Sequence, residues 1–254
     1  MIKGNIKKHH GVGYVCYLDI LGFSFDILNN WNNPKEDPLK TILEIKSNLK
    51  VIPSGNNSGF SNDKGSYQYV PRIKSISDSI IISFGLDESR MFGDMLLGLE
   101  TIVANVNSIW SFLIKKGYTI RGAIDFGNIY WDEDEIIGPA FINAYQLESN
   151  LARISRVVIS SKLNEVIKDL STHFKGDLGQ HLIDNFRKDI DGYTICNPTK
   201  LSNNEEERIE LINQLKSLKD KAEGALIKEK YTSLIYTLEV NEKQKMKIED
   251  FSRY

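Results

Sequence analysis

Two aspartates stand where carboxylates are costly. Asp19 closes an apolar, strand-like run in Tyr17-Leu18-Asp19-Ile20-Leu21-Gly22-Phe23-Ser24, and Asp78 lies in Lys74-Ser75-Ile76-Ser77-Asp78-Ser79 between two further strand-like runs. A carboxylate ending a buried strand needs compensation, and bound cations commonly supply it. Brought side by side, two such groups frame a site for two divalent ions, an arrangement used for phosphoryl transfer. Gly22-Phe23-Ser24 fits the same chemistry, because a glycine turn opening a helix points free N–H groups at phosphate oxygens. The competing reading is two unrelated aspartates at strand ends.

The elements that must position them follow from pattern. Val12 to Leu21 is apolar and β-rich with Gly22 just beyond, which predicts a buried central strand. Residues 24–49 are helical material interrupted by Asn29-Asn30-Trp31-Asn32-Asn33-Pro34, and the Gly-, Ser- and Asn-rich stretch 53–65 is expected to be a loop. Strands are expected over 67–76 and 79–85, joined tightly around Ser77-Asp78. Phe92, Leu96, Leu99, Val103, Val106, Trp110 and Leu113 recur at steps of three or four and predict a helix over 88–116. A strand over 118–126, a hairpin reaching 137 through the acidic turn 132–135, a helix over 140–153 and a strand over 156–160 complete the unit.

This order predicts an α+β fold containing the ferredoxin-like βαββαβ unit, its sheet covered by helices on one face. A short helix and a strand over 192–196 extend it. Residues 203–231 read as a charged helix with Ile209, Leu211, Ile212, Leu215 and Leu218 as an apolar stripe, for docking at one edge or for a subunit contact. Residues 1–200 are therefore expected to form the main domain, and 201–254 a charged helical C-terminal extension packed on it.

The totals narrow the class of protein. Among 254 residues, 32 Lys plus Arg face 34 Asp plus Glu, so bulk charge attracts neither nucleic acid nor acidic membranes, and neither is an expected partner. The two cysteines, Cys16 and Cys196, lack metal-ligand spacing. The N-terminus has no apolar signal core and no stretch approaches the apolar length of a span, so the expected location is the reducing cytoplasm. His9-His10 lacks a third ligand nearby. No Ser/His/Asp or Cys/His order suggests covalent catalysis.

Four ordered segments resemble class III nucleotide cyclases. Leu18-Asp19-Ile20-Leu21-Gly22-Phe23-Ser24 resembles the family's first metal motif, and Lys74-Ser75-Ile76-Ser77-Asp78 its second hairpin. Arg121-Gly122-Ala123-Ile124-Asp125-Phe126-Gly127 resembles its Arg-x-Gly-Ile strand, and Ala144-Tyr145-Gln146-Leu147-Glu148-Ser149 its following helix. Together with Ile137-Gly138-Pro139-Ala140-Phe141, the run is similar to one branch, the pyrimidine cyclases of bacterial Pycsar anti-phage systems. The resemblance covers about residues 12–160. It implies a class III cyclase catalytic domain that converts UTP or CTP to the 3′,5′-cyclic monophosphate, which activates a separate effector protein. It also implies two divalent ions (Mg or Mn) held by Asp19, Asp78 and the Ile20 carbonyl, and a head-to-tail homodimer with composite active sites. Gly22, Phe23, Ser24 and Ser77 are the substrate-binding positions it suggests.

Departures matter as much. Gln146 occupies the slot of the family's transition-state Arg, and a neutral amide cannot offset phosphate charge as a guanidinium does. Arg153, about two helical turns on, and Arg156, opening the next strand, are candidate substitutes. Arg121 is a candidate for a phosphate or base edge, or for a structural ion pair. Arg72, Lys74, Ile76 and Asp78 are spaced by two and share a strand face. A bulge at Pro71 would bring Tyr69 onto that face to narrow the pocket while Lys74 meets a base carbonyl; otherwise the tyrosines pack under helices. A purine cyclase, disfavoured by Ser77 in place of a Gly, and a degenerate nucleotide-binding module remain the alternatives.

Overall fold

The computed structural model describes residues 8–33, 37–49, 58–62, 65–69, 71–86, 91–222, 224–240 and 246–251, with the backbone alone over 58–62 and 65–69 and at 91 and 226. Strand β1 (His9–Leu21) runs through its centre, flanked antiparallel by β5 (Ser79–Gly85) and β6 (Thr119–Trp131). β4 (Arg72–Ile76) lies outside β5. β8 (Val157–Ile159) runs parallel to β6, followed outward by β10 (Thr194–Cys196) and β9 (Phe186–Lys188). The short β7 (Ile136–Ile137) folds back on β6. The β4-β5-β1-β6 order of the central strands is the antiparallel ferredoxin-like arrangement.

β1 is apolar without interruption because both its faces are covered. Tyr14, Cys16, Leu18 and Ile20 enter the main core beneath α3 (Met91–Lys115), the long helix whose Leu99, Val106, Trp110 and Leu113 are fully or almost fully buried. Val15 and Tyr17 point the other way, to a second cluster under α4 (Pro139–Leu151). Helices therefore cover two faces of the sheet, not one. Ala140 and Ala144 let α4 approach closely, with buried Glu148 one turn further on.

Three other expectations are corrected. The 53–65 segment contains a strand, β2 (Ser58–Asn62), which pairs with β3 (Gly65–Tyr69) as a separate two-stranded sheet. The single strand expected over 67–76 is thus two, β3 and β4, with Pro71 between them and no backbone N–H there for a ladder. The charged segment 203–231 is two helices, α7 (Glu205–Lys221) and α8 (Ala225–Glu239), separated at Gly224, whose φ of +92° suits only glycine well. The hairpin's Leu211, Leu215, Tyr231, Leu234 and Leu238 join the same core as α3. The remaining elements are α1 (Phe23–Asn30), α2 (Pro38–Leu49), α5 (Ser161–His173) and α6 (Asp177–Asp184), with 3-10 turns at Pro198–Leu201 and Ile248–Phe251.

One described stretch, Phe92–Lys115, is long and apolar enough to cross a membrane by composition, contrary to the expectation from the sequence. It is α3, whose apolar side chains fill the core. Cys16 and Cys196 are fully buried, and burial pushes both thiols up, that of Cys196 to about 12. Neither is expected to react with Ellman's reagent at pH 8 in the native protein, since roughly one Cys196 thiol in 10,000 would be ionised. Both should titrate in guanidinium; a fast-reacting native thiol would contradict this burial.

Candidate active site

The end of β1 and the β4–β5 turn meet through the backbone. The Ile20 N–H donates to the Asp78 carbonyl at 3.0 Å, which fixes the turn beside the last residues of β1. The turn itself is Ser77-Asp78, and Ser77 holds φ at +51°, a conformation that costs a non-glycine residue about 1–2 kcal/mol. Ser77→Gly is expected to keep the fold and raise stability by about 1 kcal/mol, read from the denaturant midpoint; an unchanged or lowered midpoint would show that the serine side chain stabilises the turn.

Asp19 lies directly opposite Ser79 on one side and Arg121 on the other. Gly122 permits that register at close range, because a Cβ there would lie 2.5 Å from the Tyr17 carbonyl oxygen and from Leu18 Cδ2. Arg121 Nε donates to Asp19 Oδ2 at 2.9 Å and lies 2.8 Å from Glu148 Oε1. Nε carries one hydrogen, taken by Asp19, so Glu148 is held by charge, and its Oε1 has no hydrogen-bond donor. Burial pushes the Asp19 carboxyl above its ordinary pKa; the Arg121 hydrogen bond and charge pull it back, the Asp78 charge raises it and the Lys230 charge lowers it. Burial likewise raises Glu148, against the pull of Arg121.

Gly22, with φ at +92°, turns the chain into α1, and no side chain caps that helix start. Ser24 is exposed there and its Oγ donates to Asp78 Oδ2 at 2.8 Å. The first turn of α1 thus stands beside both aspartates with N–H groups for an anion.

The fold brings Asp19, Ile20, Gly22, Ser24, Ser77, Asp78 and Arg121 to one place. Phe23 is adjacent in sequence but 1% exposed, its ring 5.7 Å from that of Tyr118; it anchors α1 in the core instead of facing a substrate. Lys74 shares the sheet face of Asp19 on β4, two strands away, where its charge reaches Asp132. Tyr69 ends β3, which pairs with β2 and not with β5, so no bulge carries it onto the face of Lys74; its side chain lies outside the described residues. Arg153 is exposed just past the end of α4. Arg156 is turned away: Nη1 donates to Asp189 at 2.6 Å and Asp191 at 2.7 Å, and Nη2 to the Leu151 carbonyl at 2.6 Å. That set of partners makes it structural.

Two groups escaped the sequence reading. Glu148 had a visible signal, as a charge at the i+4 step after Ala140 and Ala144 on an otherwise small, sheet-facing stripe. Lys230 had none, because only the α7–α8 hairpin brings it within electrostatic reach of Asp19 and Arg121.

No family model matches the chain, and no curated protein matches it. Among solved structures, the chain is similar to the catalytic core of a rhodopsin-guanylyl cyclase with converted specificity in complex with ATPαS, at 17% identity and TM-score 0.44, over 64% of this chain and 83% of that one. A class III adenylyl cyclase-like ATP-binding protein from Pseudomonas aeruginosa is similar at 14% identity and TM-score 0.43, over 62% of this chain and 35% of that one. A bacterial light-regulated adenylyl cyclase follows at 14% identity and TM-score 0.40, over 63% of this chain and 46% of that one. Overlaps this loose carry no functional weight by themselves.

Proposed function

We propose that this chain is a nucleotide cyclase of class III type that converts UTP or CTP to the 3′,5′-cyclic monophosphate and pyrophosphate. The observation that carries the reading is the meeting of Asp19 and Asp78 at one end of a β4-β5-β1-β6 sheet, with Arg121 opposite Asp19. The donors there, two carboxylates and the Ile20 carbonyl, are all hard oxygens, which suits Mg or Mn ions that keep water and substrate phosphates as their other ligands. Among the described residues no three or more acidic, His or Cys side chains are grouped so as to hold a metal ion by themselves, so such ions would depend on the substrate to complete their shells. When bound, they lower the pKa of an attacking hydroxyl and neutralise phosphate charge.

In the reaction, the ribose 3′-hydroxyl loses its proton and its oxygen bonds to the α-phosphorus of the same nucleotide. The bond from that phosphorus to the bridging oxygen breaks, and pyrophosphate leaves. The protein's work is positioning and charge neutralisation. Asp19 and Asp78 hold the cations, the first turn of α1 offers N–H groups to phosphate oxygens, and Arg121 exchanges its carboxylate partners for phosphate. Lys74 on the shared sheet face is the candidate for a base carbonyl. The chain acts as a head-to-tail homodimer with composite sites in the cytoplasm, and its product signals to a separate effector in anti-phage defence.

Incubating the purified protein with each of four radiolabelled NTPs and Mn tests this reading. UTP or CTP turnover supports it, ATP or GTP turnover replaces it with a purine cyclase, and no turnover leaves a nucleotide-binding module.

A further inference from the structure

Glu148 belongs to the site cluster, yet the proposed reaction gives it no task. α4 lies over the sheet on its small residues Ala140 and Ala144, and the next step of that stripe delivers Glu148, 3% exposed, onto Arg121. The two carboxylate oxygens differ. Oε2 accepts from the Ser149 hydroxyl at 3.1 Å, which helps to fix the group. Oε1 is buried, receives no hydrogen bond and lies 2.8 Å from Arg121 Nε. A buried acceptor left without a donor is costly, and more so when it carries charge.

The missing donor is one that Asp19 already holds. Arg121 has a single Nε–H and donates it to Asp19 Oδ2 at 2.9 Å, so two carboxylates compete for one hydrogen. Asp19 is also a metal ligand in the proposed reaction, and there the guanidinium is a competitor. It occupies Oδ2, and its charge at contact distance repels a divalent cation brought to the same carboxylate. Loading Asp19 therefore requires Arg121 to let go. A guanidinium released at this place, where its side chain is only 31% exposed, needs another anion. Asp78 is wanted by the same cations and already accepts from Ser24. Glu148 Oε1 lies within bonding distance, and taking the Nε–H satisfies both groups at once.

We infer that Glu148 is a positioning residue that receives the Arg121 Nε–H when a divalent cation loads Asp19, so that metal binding and the release of Arg121 are one event. Without Glu148 the arginine stays on Asp19 and competes with the cation. The inference rests on the metal role that the cyclase reading gives Asp19, but not on turnover. It also puts that reading in order: Asp19 gives up Arg121 when the cation arrives, and Glu148 holds it until phosphate does.

The test uses the full chain, with Glu148→Gln and Glu148→Asp beside the wild type. Mn binding is followed by electron paramagnetic resonance, with and without tripolyphosphate, and the Arg121 Nε–H signal by NMR during a Mg titration. Both variants should bind Mn on the order of tenfold more weakly, the scale of coupling between linked binding events. Aspartate is the informative replacement, because it keeps the charge and withdraws the oxygen by one methylene. In the wild type the Nε–H signal should shift as Mg binds and stay slow to exchange with water; in Glu148→Gln the shift should need roughly tenfold more Mg. Wild-type Mn affinity in a folded Glu148→Asp protein overturns the inference, since charge alone then suffices. A wild-type signal unmoved by saturating Mg overturns it too, as does one that loses its protection, and this titration decides even where a variant fails to fold. A wild type that binds no Mn, with or without tripolyphosphate, removes both the inference and the metal role of Asp19. Absence of turnover with the Mg-driven shift intact removes the cyclase reading alone.

Discussion

Asp19→Asn and Asp78→Asn should each reduce cyclic nucleotide formation by on the order of 1,000-fold, the scale expected when several kcal/mol of metal-borne charge stabilisation is withdrawn. Asparagine is the informative replacement because it preserves size and one acceptor oxygen. In Asp19→Asn that oxygen still accepts from Arg121 Nε, and Arg121 keeps its charge contact with Glu148. In Asp78→Asn the Ser24 hydroxyl still has a partner, and the backbone bond from Ile20 N–H to the residue 78 carbonyl is untouched. What disappears is one negative charge among groups already balanced against Arg121 and Lys230. Mn binding, followed by electron paramagnetic resonance with and without nucleotide, should weaken in both variants while circular dichroism remains that of the wild type. A folded variant with undiminished turnover would remove the metal role from that aspartate.

How far the sequence reveals this site depends on whether the signal is local. Asp19 is legible because a carboxylate in an unbroken apolar strand is conspicuous, and Gly22 because the chain must turn there with φ at +92°. Asp78 is legible from two strand runs too close together for anything but a tight turn. The arginines differ. Both Arg121 and Arg156 open strands at the same end of the sheet, and strand periodicity does not separate them; only the run that follows Arg121, with its resemblance to the Arg-x-Gly-Ile strand, sets it apart. Register decides: Arg121 falls opposite Asp19, whereas Arg156 sits one strand further out, where the Asp189–Asp191 turn claims it. Those partners are more than thirty residues away in sequence, beyond any periodic pattern. Lys230 is the extreme case, a charge on a charged helix whose position depends on Gly224 folding α8 back along α7. Pro71 carried a readable signal, but a break and a bulge are both permitted by a missing N–H, and only strand pairing tells them apart.

Arg156→Met is the sharpest test of that division, and it should unfold the protein more readily without touching the chemistry. The guanidinium joins three elements: the last turn of α4 through the Leu151 carbonyl, β8, which it precedes, and the β9–β10 turn through Asp189 and Asp191. Its side chain is 8% exposed and that of Asp189 12%, so water offers little compensation when the cation is removed. Burial opposes its charge, yet the hydrogen bonds to the two aspartates outweigh that and hold its pKa above the ordinary value. Methionine fills much of the volume but strands two carboxylates facing each other. Breaking a buried pair this way costs about 3–5 kcal/mol, or a fall of roughly 10 °C in Tm for a chain of this size. Arg156→Lys should recover only part of it, since an ammonium cannot reach both aspartates and a carbonyl in one plane. At a temperature where the variant is still folded, kcat should stay close to the wild type, because none of these partners belongs to the Asp19–Asp78 cluster. A collapse of kcat with an unchanged melting curve would reverse the assignment and make Arg156 a cation that answers for Gln146.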